Sequence, residues 1–161
     1  MVKEMTKTNV MRILEAASVP FRTAEYKVDE SDLSGVHAAA EMDMPADQVF
    51  KTLVLEGDAG HIVCVIPVAE ELDLKLVARE SGAKRVEMIP MKDLIKVTGY
   101  MRGGCSPIGM KKKFPTFIDE TCVLWDEIAV SAGMRGEQII LSPDDLAKIT
   151  EAKICPLTAV K

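Results

Sequence analysis

Two apolar segments joined by a short turn constrain the fold of this chain more than any other feature of its sequence. The first segment, ADQVFKTLVLEG, and the second, HIVCVIPV, are dominated by Val, Ile and Leu. Between them stand Gly57, Asp58, Ala59 and Gly60, and tight turns favour glycine and aspartate. This arrangement predicts an antiparallel β-hairpin, so we expect the chain to fold around a β-sheet.

The rest of the chain alternates between helical and extended patterns. Helices are predicted over residues 6–18, from Ser34 to before Pro45, over 70–81 with Gly82 as C-cap, over 91–99, and over 142–150. Further strands are predicted over residues 21–28, 84–90, 121–133 and 137–142. The clearest helix start is Ser142, a typical N-cap, followed by Pro143 and two acidic residues. Because no repeat or linker separates these elements, we predict one α+β domain over residues 1–161, with a mixed sheet flanked by helices.

Composition predicts a soluble, packed protein. Apolar residues make up 48% of the chain and charged residues 28%, which is the balance of a globular domain. Aromatic residues make up only 4%, whereas there are ten methionines. The core is therefore expected to be built from Val, Ile, Leu, Ala and Met.

Neither a metal, a cofactor nor a membrane is expected. The four cysteines form no Cys-x-x-Cys pair, and His37 and His61 have no metal-ligand spacing. The charged N-terminal segment lacks the apolar stretch of a signal peptide, and the apolar run HIVCVIPVA is too short to cross a bilayer. We therefore expect a cytoplasmic protein with free thiols.

The net charge of −5 argues against a dedicated nucleic-acid binder that relies on a basic surface. Local basic clusters are nevertheless present. They are Lys84-Arg85, Lys92, Lys96, Arg102 and Lys111-Lys112-Lys113. Each cluster alone is explained by a solvated face, but their grouping around one loop suggests a local role.

That loop is the segment from Gly103 to Gly109, GGCSPIG. Its glycines permit positive φ angles and close approach of the backbone to a ligand, while its proline fixes the path of the chain. Successive N–H groups in such a turn can bind an oxyanion or a phosphate. The segment matches neither a Walker A loop nor a dinucleotide fingerprint. An ordinary tight turn and a binding loop remain equal alternatives on composition alone.

Four stretches of the chain carry a resemblance to a known family. They are DQVFKTLV, LDLKLVARESGAKRVEM, TGYMRGGCSPIGMKKKFPTFID and VSAGMRGEQIILSPDDLAKIT. In this order and over essentially the whole chain, they resemble the YbaK/EbsC family, which is related to the editing domain of bacterial prolyl-tRNA synthetase. The resemblance implies a compact domain built on a curved, mixed, partly barrel-like sheet flanked by helices.

The resemblance also implies an activity and a site. Members of the family hydrolyse the ester that joins a wrong amino acid to tRNA, here most directly Cys-tRNA(Pro) and also Cys-tRNA(Cys), without a cofactor. The implied catalytic residues are Lys51 and the amides of Gly103 and Gly104, which are positioned to stabilise an oxyanion. The implied substrate-binding residues are Tyr26, Thr52, Ser106, Pro107, Ile108, Gly109, Ser131, Gly133, Arg135 and Gly136. In this mechanism the thiol of the substrate attacks its own ester.

Three alternatives remain open from the sequence. The first is a non-enzymatic module that escorts aminoacyl-tRNA or docks on prolyl-tRNA synthetase. The second is editing of a different misacylated amino acid, alanine or serine. The third is a hydrolase of a small phosphorylated or acylated metabolite. The acceptor end of mischarged tRNA is the expected partner, with prolyl-tRNA synthetase as a second one, and the sequence does not indicate an oligomeric state.

Four residues near the implied site depart from the pattern or invite another role. Gln138 stands where several relatives have aspartate, and the neighbouring Glu137 is expected to point to the opposite face of its strand. Cys105 lies in the loop, but neither histidine is placed by the sequence to activate its thiol, so a nucleophilic role is disfavoured. A minor substrate contact by His37 is the less favoured interpretation of that residue.

Overall fold

A computed structural model describes residues 7–160 of the chain. Its helices are α1 (Asn9–Ala16), α2 (Gly35–Glu41), α3 (Leu74–Ser81), α4 (Leu94–Thr98) and α5 (Pro143–Thr150). Its strands are β1 (Arg22–Glu25), β2 (Phe50–Gly57), β3 (Gly60–Pro67), β4 (Val86–Met88), β5 (Thr116–Asp119), β6 (Ile128–Ser131), β7 (Glu137–Leu141) and β8 (Lys153–Cys155). Two 3₁₀ turns, Met91–Asp93 and Glu120–Leu124, complete the list.

The predicted hairpin is confirmed and lies at the centre of a five-stranded sheet. Strands β2 and β3 pair in antiparallel register from Phe50 opposite Pro67 to Gly57 opposite Gly60. The strand order in this sheet is β4-β2-β3-β5-β8. The β2–β4 pair is antiparallel, whereas β3–β5 and β5–β8 are parallel, so the sheet is mixed as the sequence predicts.

A second, three-stranded antiparallel sheet has the order β1-β7-β6. It meets the first sheet at the beginning of β2, where Val49 forms a parallel bridge with Ala129 of β6. The Ala129 N–H donates to the Gln48 carbonyl at 3.0 Å. The sheets therefore meet at one corner, and no closed barrel forms within residues 7–160. The predicted α+β class with a mixed sheet and flanking helices is confirmed.

An aliphatic core holds the helices against both sheets, as composition predicts. Helices α1 and α5 bury Leu14 and Leu146 against β6 and β7, together with the fully buried Ile139. Helix α3 buries Val77 against β2 and β3, together with Ile66. Because burial of each such side chain contributes about 1.5–3 kcal/mol, these two layers supply most of the stability of the fold.

Helix boundaries follow local capping chemistry that is visible in the sequence. The predicted N-caps are confirmed: Ser34 Oγ accepts from the His37 N–H at 3.2 Å, and Ser142 Oγ accepts from the Asp145 N–H at 3.1 Å. The C-cap Gly82 adopts a left-handed φ of 76°. A side chain at this φ would be strained, which explains why glycine ends the helix.

Several predicted boundaries are wrong. Residues 121–127 form no strand, because the Asp119 side chain accepts from both the N–H and the hydroxyl of Thr121 and thereby caps a 3₁₀ turn. Helix α3 begins only after Asp73, whose carboxylate accepts from the Lys75 N–H. Strands β5 and β8 were not predicted, and both pair in parallel with partners far along the chain. Residue 6, the predicted start of the first helix, lies outside the described residues.

Asp119 connects the C-terminal segment to the sheet. It is 1% exposed, and its Oδ1 accepts from the buried Leu157 N–H at 2.9 Å. Its Oδ2 accepts from Thr121, so both carboxylate oxygens are hydrogen-bonded. The same side chain therefore ends β5, forms the following turn and positions the chain after β8.

Replacement of Asp119 by alanine should destabilise the protein by about 3 kcal/mol, because it leaves buried N–H groups without an acceptor. The free energy of unfolding from urea titration measures the effect. The exposed Asp126 provides the control, and Asp126→Ala should change stability by less than about 0.5 kcal/mol. Equal stability of the two variants would show that Asp119 does not hold the C-terminal segment.

Candidate functional site

A cavity of about 300 Å³ opens where the two sheets meet. Strand β2 forms its floor, the start of α2 covers one side, and the segment from Met91 to Cys105 forms another wall. Five of the residues predicted from the sequence line it together: Tyr26, Lys51, Thr52, Gly103 and Ser131. The volume is at the lower end of the range for small-molecule sites.

The path of β2 explains why Lys51 and Thr52 face this space. One edge of β2 is paired with β3 along its whole length. The other edge contacts β6 at Val49 and β4 only from Leu55 onward. The residues between Val49 and Leu55 have no paired strand on this edge. This unpaired part of β2 forms the floor of the cavity.

Lys51 is a half-buried cation. Burial lowers the pKa of its ammonium below the ordinary value of 10.5, while the carboxylates of Glu71 and Glu70 act in the opposite direction. A cation removed from water in this way gains from an anion in the cavity, because the anion would restore part of the lost solvation energy.

Two buried polar atoms at the cavity have no protein partner. Thr52 Oγ1 and Gln138 Oε1 are both inaccessible to solvent and form no hydrogen bond with the described residues. Gln138 lies on β7 opposite Ser131 of β6, which brings its amide to the same wall. Buried polar groups in native proteins are normally satisfied, so these two atoms are groups at the cavity wall with unused hydrogen-bonding capacity. Sequence comparison singled out Gln138 only as a departure, and its place in the cavity comes from the strand pairing.

The first part of the glycine loop approaches the cavity through Gly103. Its φ is 84°, a conformation that favours glycine. Neither the Gly103 N–H nor the Cys105 N–H has an acceptor among the described residues. By contrast, the Gly104 N–H donates to the Met101 carbonyl at 2.9 Å. The Gly104 amide therefore closes the turn, whereas its predicted oxyanion role stays a prediction.

Gly104 has a packing role instead. A methyl group added to it would lie 3.1 Å from the backbone of Met134 and Arg135. The Arg135 Nε donates to the Arg102 carbonyl at 2.7 Å, next to this contact. Absence of a side chain at Gly104 thus lets two backbone segments touch, which fixes Gly103 at the cavity.

The second part of the loop, residues 106–109, does not line this cavity. Ser106, Pro107 and Ile108 are buried, and Ser106 Oγ accepts from the Ile108 N–H at 3.3 Å. The Tyr100 hydroxyl donates to the Ile108 carbonyl. Pro107, Ile108 and Gly109 line a separate space of about 210 Å³ on the far side, towards α5. Residues 106–109 therefore support the loop on the side away from the cavity.

The cavity lining is supported on its outer side by three further residues of the predicted site. They are Gly133, Arg135 and Gly136. Gly133 leaves room for the Tyr100 ring, since a methyl group there would lie 3.2 Å from a ring carbon. The Gly136 carbonyl accepts from the Tyr26 N–H at 2.9 Å, which holds the end of β1 in place. None of the three lines the cavity, and their predicted contact with substrate stays a prediction.

Cys105 and His37 provide no nucleophile–base pair. Burial raises the pKa of the Cys105 thiol to about 12, so this thiol stays protonated at neutral pH. His37 does not line the cavity; its ring nitrogens lie 3.9 Å from carboxylate oxygens of Asp32 and Glu41 on the outer side of α2. Glu137 is also absent from the cavity lining, as the alternation of β7 predicts.

Within residues 7–160, no cluster of three or more His, Cys, Asp and Glu side chains is arranged to hold a metal ion. No helix in the same part of the chain is long and apolar enough to cross a membrane.

Comparison with known proteins relates the chain to one family. Residues 32–149 match the model of the aminoacyl-tRNA editing domain. A protein of Enterococcus faecalis named as the Cys-tRNA(Pro)/Cys-tRNA(Cys) deacylase EbsC is 45% identical over 157 residues, which cover 97% of this chain and 96% of the relative. The multifunctional Ser/Thr-tRNA deacylase ProXp-y of Escherichia coli is 25% identical, with 94% and 95% coverage. A solved structure described as a trans-editing enzyme for prolyl-tRNA synthetase superimposes with a TM-score of 0.81 at 21% identity, over 96% of this chain and 100% of the other.

The burial of Lys51 predicts a stabilising substitution. Because its pKa is lower in the folded state than in the unfolded state, the folded protein binds this proton less tightly. At pH 7 the folded state therefore bears the cost of the buried charge, and stability rises as pH increases through the folded-state pKa. Lys51→Met should raise the urea midpoint at pH 7, and its stability should gain less than that of the wild type as pH rises towards 10.5.

The exposed Lys75 provides the matched control, and Lys75→Met should leave both quantities unchanged. A lower midpoint for Lys51→Met at pH 7 would show that the ammonium is satisfied within the protein.

Proposed function

The chain belongs to the aminoacyl-tRNA editing domain family, and from this membership we propose that it hydrolyses mischarged tRNA in trans, with Cys-tRNA(Pro) as its main substrate. Cys-tRNA(Cys) is the second substrate that the Enterococcus faecalis relative suggests. The whole chain, residues 1–161, is taken as one editing domain that acts in the cytoplasm on the acceptor end of tRNA.

The observation that carries this proposal is the content of the cavity. It combines a half-buried cation, unpaired backbone amides and two orphaned polar side chains, and it lacks an activated nucleophile. Such a site cannot readily form a covalent acyl-enzyme. It is suited to hold an ester in one orientation and to stabilise the negative charge that develops on its carbonyl oxygen.

We assign the oxyanion site to the amide of Gly103, with the amide of Cys105 in place of that of Gly104. Neither N–H group has an acceptor within residues 7–160, and both residues line the cavity. In related hydrolytic sites the loss of one such donor costs about 3 kcal/mol of transition-state stabilisation. We assign Lys51 to the phosphate or the terminal ribose of the tRNA, an anionic or polar group that would offset the desolvation of its ammonium.

The orphaned side chains are assigned to the aminoacyl ester. Gln138 Oε1 is an acceptor, and the donor that every aminoacyl group brings is its α-ammonium. Thr52 Oγ1 both donates and accepts, which suits the free hydroxyl of the terminal ribose. Tyr26 and Ser131 complete the walls around the amino-acid side chain.

The chemistry we propose uses the thiol of the cysteinyl group. Its sulfur bonds to the ester carbonyl carbon, giving a tetrahedral intermediate whose oxyanion is held by the two amides. The ester C–O bond then breaks, and the ribose oxygen departs with the proton that the thiol has lost. The product is a four-membered thiolactone, which water opens to free cysteine. The protein contributes orientation and electrostatic stabilisation, and no side chain of the site forms a covalent bond.

Three rival functions remain to be separated by experiment. The Escherichia coli relative is named for serine and threonine, which makes a hydroxyl amino acid one rival cargo. Alanine is the other rival cargo left open by the sequence. A non-enzymatic module that escorts aminoacyl-tRNA or docks on prolyl-tRNA synthetase would use the same fold. A small-metabolite hydrolase would use the same cavity without tRNA.

A deacylation panel tests the proposal. Cys-tRNA(Pro), Ser-tRNA(Pro) and Ala-tRNA(Pro) are incubated with the protein, with and without prolyl-tRNA synthetase, and the remaining ester is quantified. Fast release of cysteine with little release of serine is expected, because a hydroxyl is a weaker nucleophile than a thiol. Equal turnover of the serine ester would contradict thiol assistance. No turnover of any of the three esters, with or without synthetase, would contradict the enzymatic function.

Gln138→Leu should lower kcat/KM for Cys-tRNA(Pro) about 10-fold, because it removes the acceptor proposed for the α-ammonium while keeping similar volume. Gln138→Glu keeps an acceptor at the same place and should retain more activity than the leucine variant. Initial rates at subsaturating substrate measure the effect, and unchanged melting temperatures exclude a folding defect. Full activity of Gln138→Leu would remove Gln138 from the substrate site.

A further inference from the structure

We propose that the outer side of one cavity wall, formed by residues 91–112, is the surface on which the RNA backbone docks. This basic face consists of Lys92, Lys96, Lys111 and Lys112, with the exposed Arg102 at its border with the cavity and apolar side chains between them. The inference rests on the proposed function, and it assigns the tRNA-docking surface that neither the sequence nor the cavity identifies.

The charge of this stretch is opposite to that of the chain. Residues 91–114 carry six Lys and Arg residues and one acidic residue, Asp93, whereas the whole chain has a net charge of −5. One of these six cations, Lys113, forms an ion pair with Glu151. The other five have no carboxylate within 4.0 Å in the part of the chain that the structure describes. Cations left unpaired in an acidic protein form a local positive potential.

The fold brings two separate parts of this stretch together. Lys96 stands in the last turn of α4, which ends at Gly99. The Lys111 N–H donates to the Thr98 carbonyl at 3.1 Å, and the aliphatic stem of Lys111 packs over Gly99. Lys111 is therefore held beside Lys96 although fifteen positions separate them in the sequence. The lack of a side chain at Gly99 permits this packing.

The inner side of the same wall faces the cavity. Met91, Leu94 and Arg102 line the cavity, while Lys92 and Lys96 are exposed on the outside. An RNA strand bound to the outer cations would thus lie next to a wall of the cavity. The basic face is continuous with the proposed site, which is the geometry that an acceptor end requires.

The apolar side chains of the face suit the same partner. Met91, Ile95 and Met101 are more than half exposed, at 57%, 54% and 52%. Residues 91–112 contain no Asn, Gln or Trp, and the hydroxyl of their one tyrosine is bonded to Ile108. We expect this face to bind RNA through contacts of its cations with phosphates and through apolar contact of its Met and Ile side chains with bases. Double- and single-stranded parts of the acceptor arm both offer these phosphates.

Salt-dependent binding to uncharged tRNA tests the proposal with the full-length protein. The variant Lys92→Ser/Lys96→Ser/Lys111→Ser removes three cations of the face, and none of them lines the cavity. The control Lys75→Ser/Lys84→Ser/Lys148→Ser removes three exposed, unpaired lysines elsewhere and changes the net charge equally. Fluorescence anisotropy at several KCl concentrations gives the slope of log K against log salt.

The face variant should bind tRNA about 10-fold or more weakly at 0.1 M salt, with a slope reduced by about two to three, because each phosphate contact contributes about 0.7–0.9 to the slope. The control should keep the wild-type slope. Equal weakening of the two variants would show an effect of net charge alone and would overturn the proposal. Wild-type tRNA binding by the face variant with loss of prolyl-tRNA synthetase capture would make the face a protein interface and would also overturn it.

A deacylation assay separates this proposal from the proposed function. At saturating protein in single turnover the face variant should release cysteine at the wild-type rate, with a raised half-saturation concentration. Absence of deacylation by the wild type, with tRNA still bound through the face, would contradict the enzymatic function and leave the docking surface supported. Deacylation with an unchanged half-saturation concentration in the face variant would contradict the docking surface and leave the enzyme supported.

Discussion

The divided edge of β2 is the constraint on which the rest of the structure depends. Its inner edge is saturated by β3, whereas its outer edge is shared by β6 near the start and β4 near the end. The interval between these two neighbours leaves part of the strand uncovered, and Lys51 and Thr52 lie there. A continuous neighbour would have closed the sheet and filled the site. The gap therefore gives the protein both its open sheet and its cavity.

Electrostatics and packing act together around this gap. The aliphatic layers on either side are stable enough to hold a half-buried ammonium whose pKa is lowered by its burial. The buried charge thus lowers the stability of the free protein, and a bound anion would offset this cost. Such arrangements are common at functional sites. An acidic chain with one unpaired basic face would also orient a polyanion towards the same wall.

The glycine loop shows how one sequence motif combines function and architecture. Gly103 adjoins the cavity, whereas Gly104, Gly109 and Gly133 are needed because another part of the chain lies against each of them. Tyr100 packs between the last two of these glycines and holds the loop through its hydroxyl. From the sequence the whole motif suggested contact with substrate. In the structure its first part reaches the cavity, and its second part positions the first.

Local features of the fold could be read from the sequence because they depend on neighbouring residues. The hairpin, the caps at Ser34, Gly82 and Ser142, the α+β class and the family all follow from short-range patterns and motifs in order. The sequence also indicated Lys51 and Thr52 as site residues, through the family resemblance. Tertiary structure alone decided which motif residues share the cavity, that Gln138 joins them, and that the Gly104 amide is already used. These outcomes depend on the pairing of β6 with β7 and β2 and on contacts between distant backbone segments. Such pairings are selected by the packing of the whole core, which no local stretch of sequence encodes.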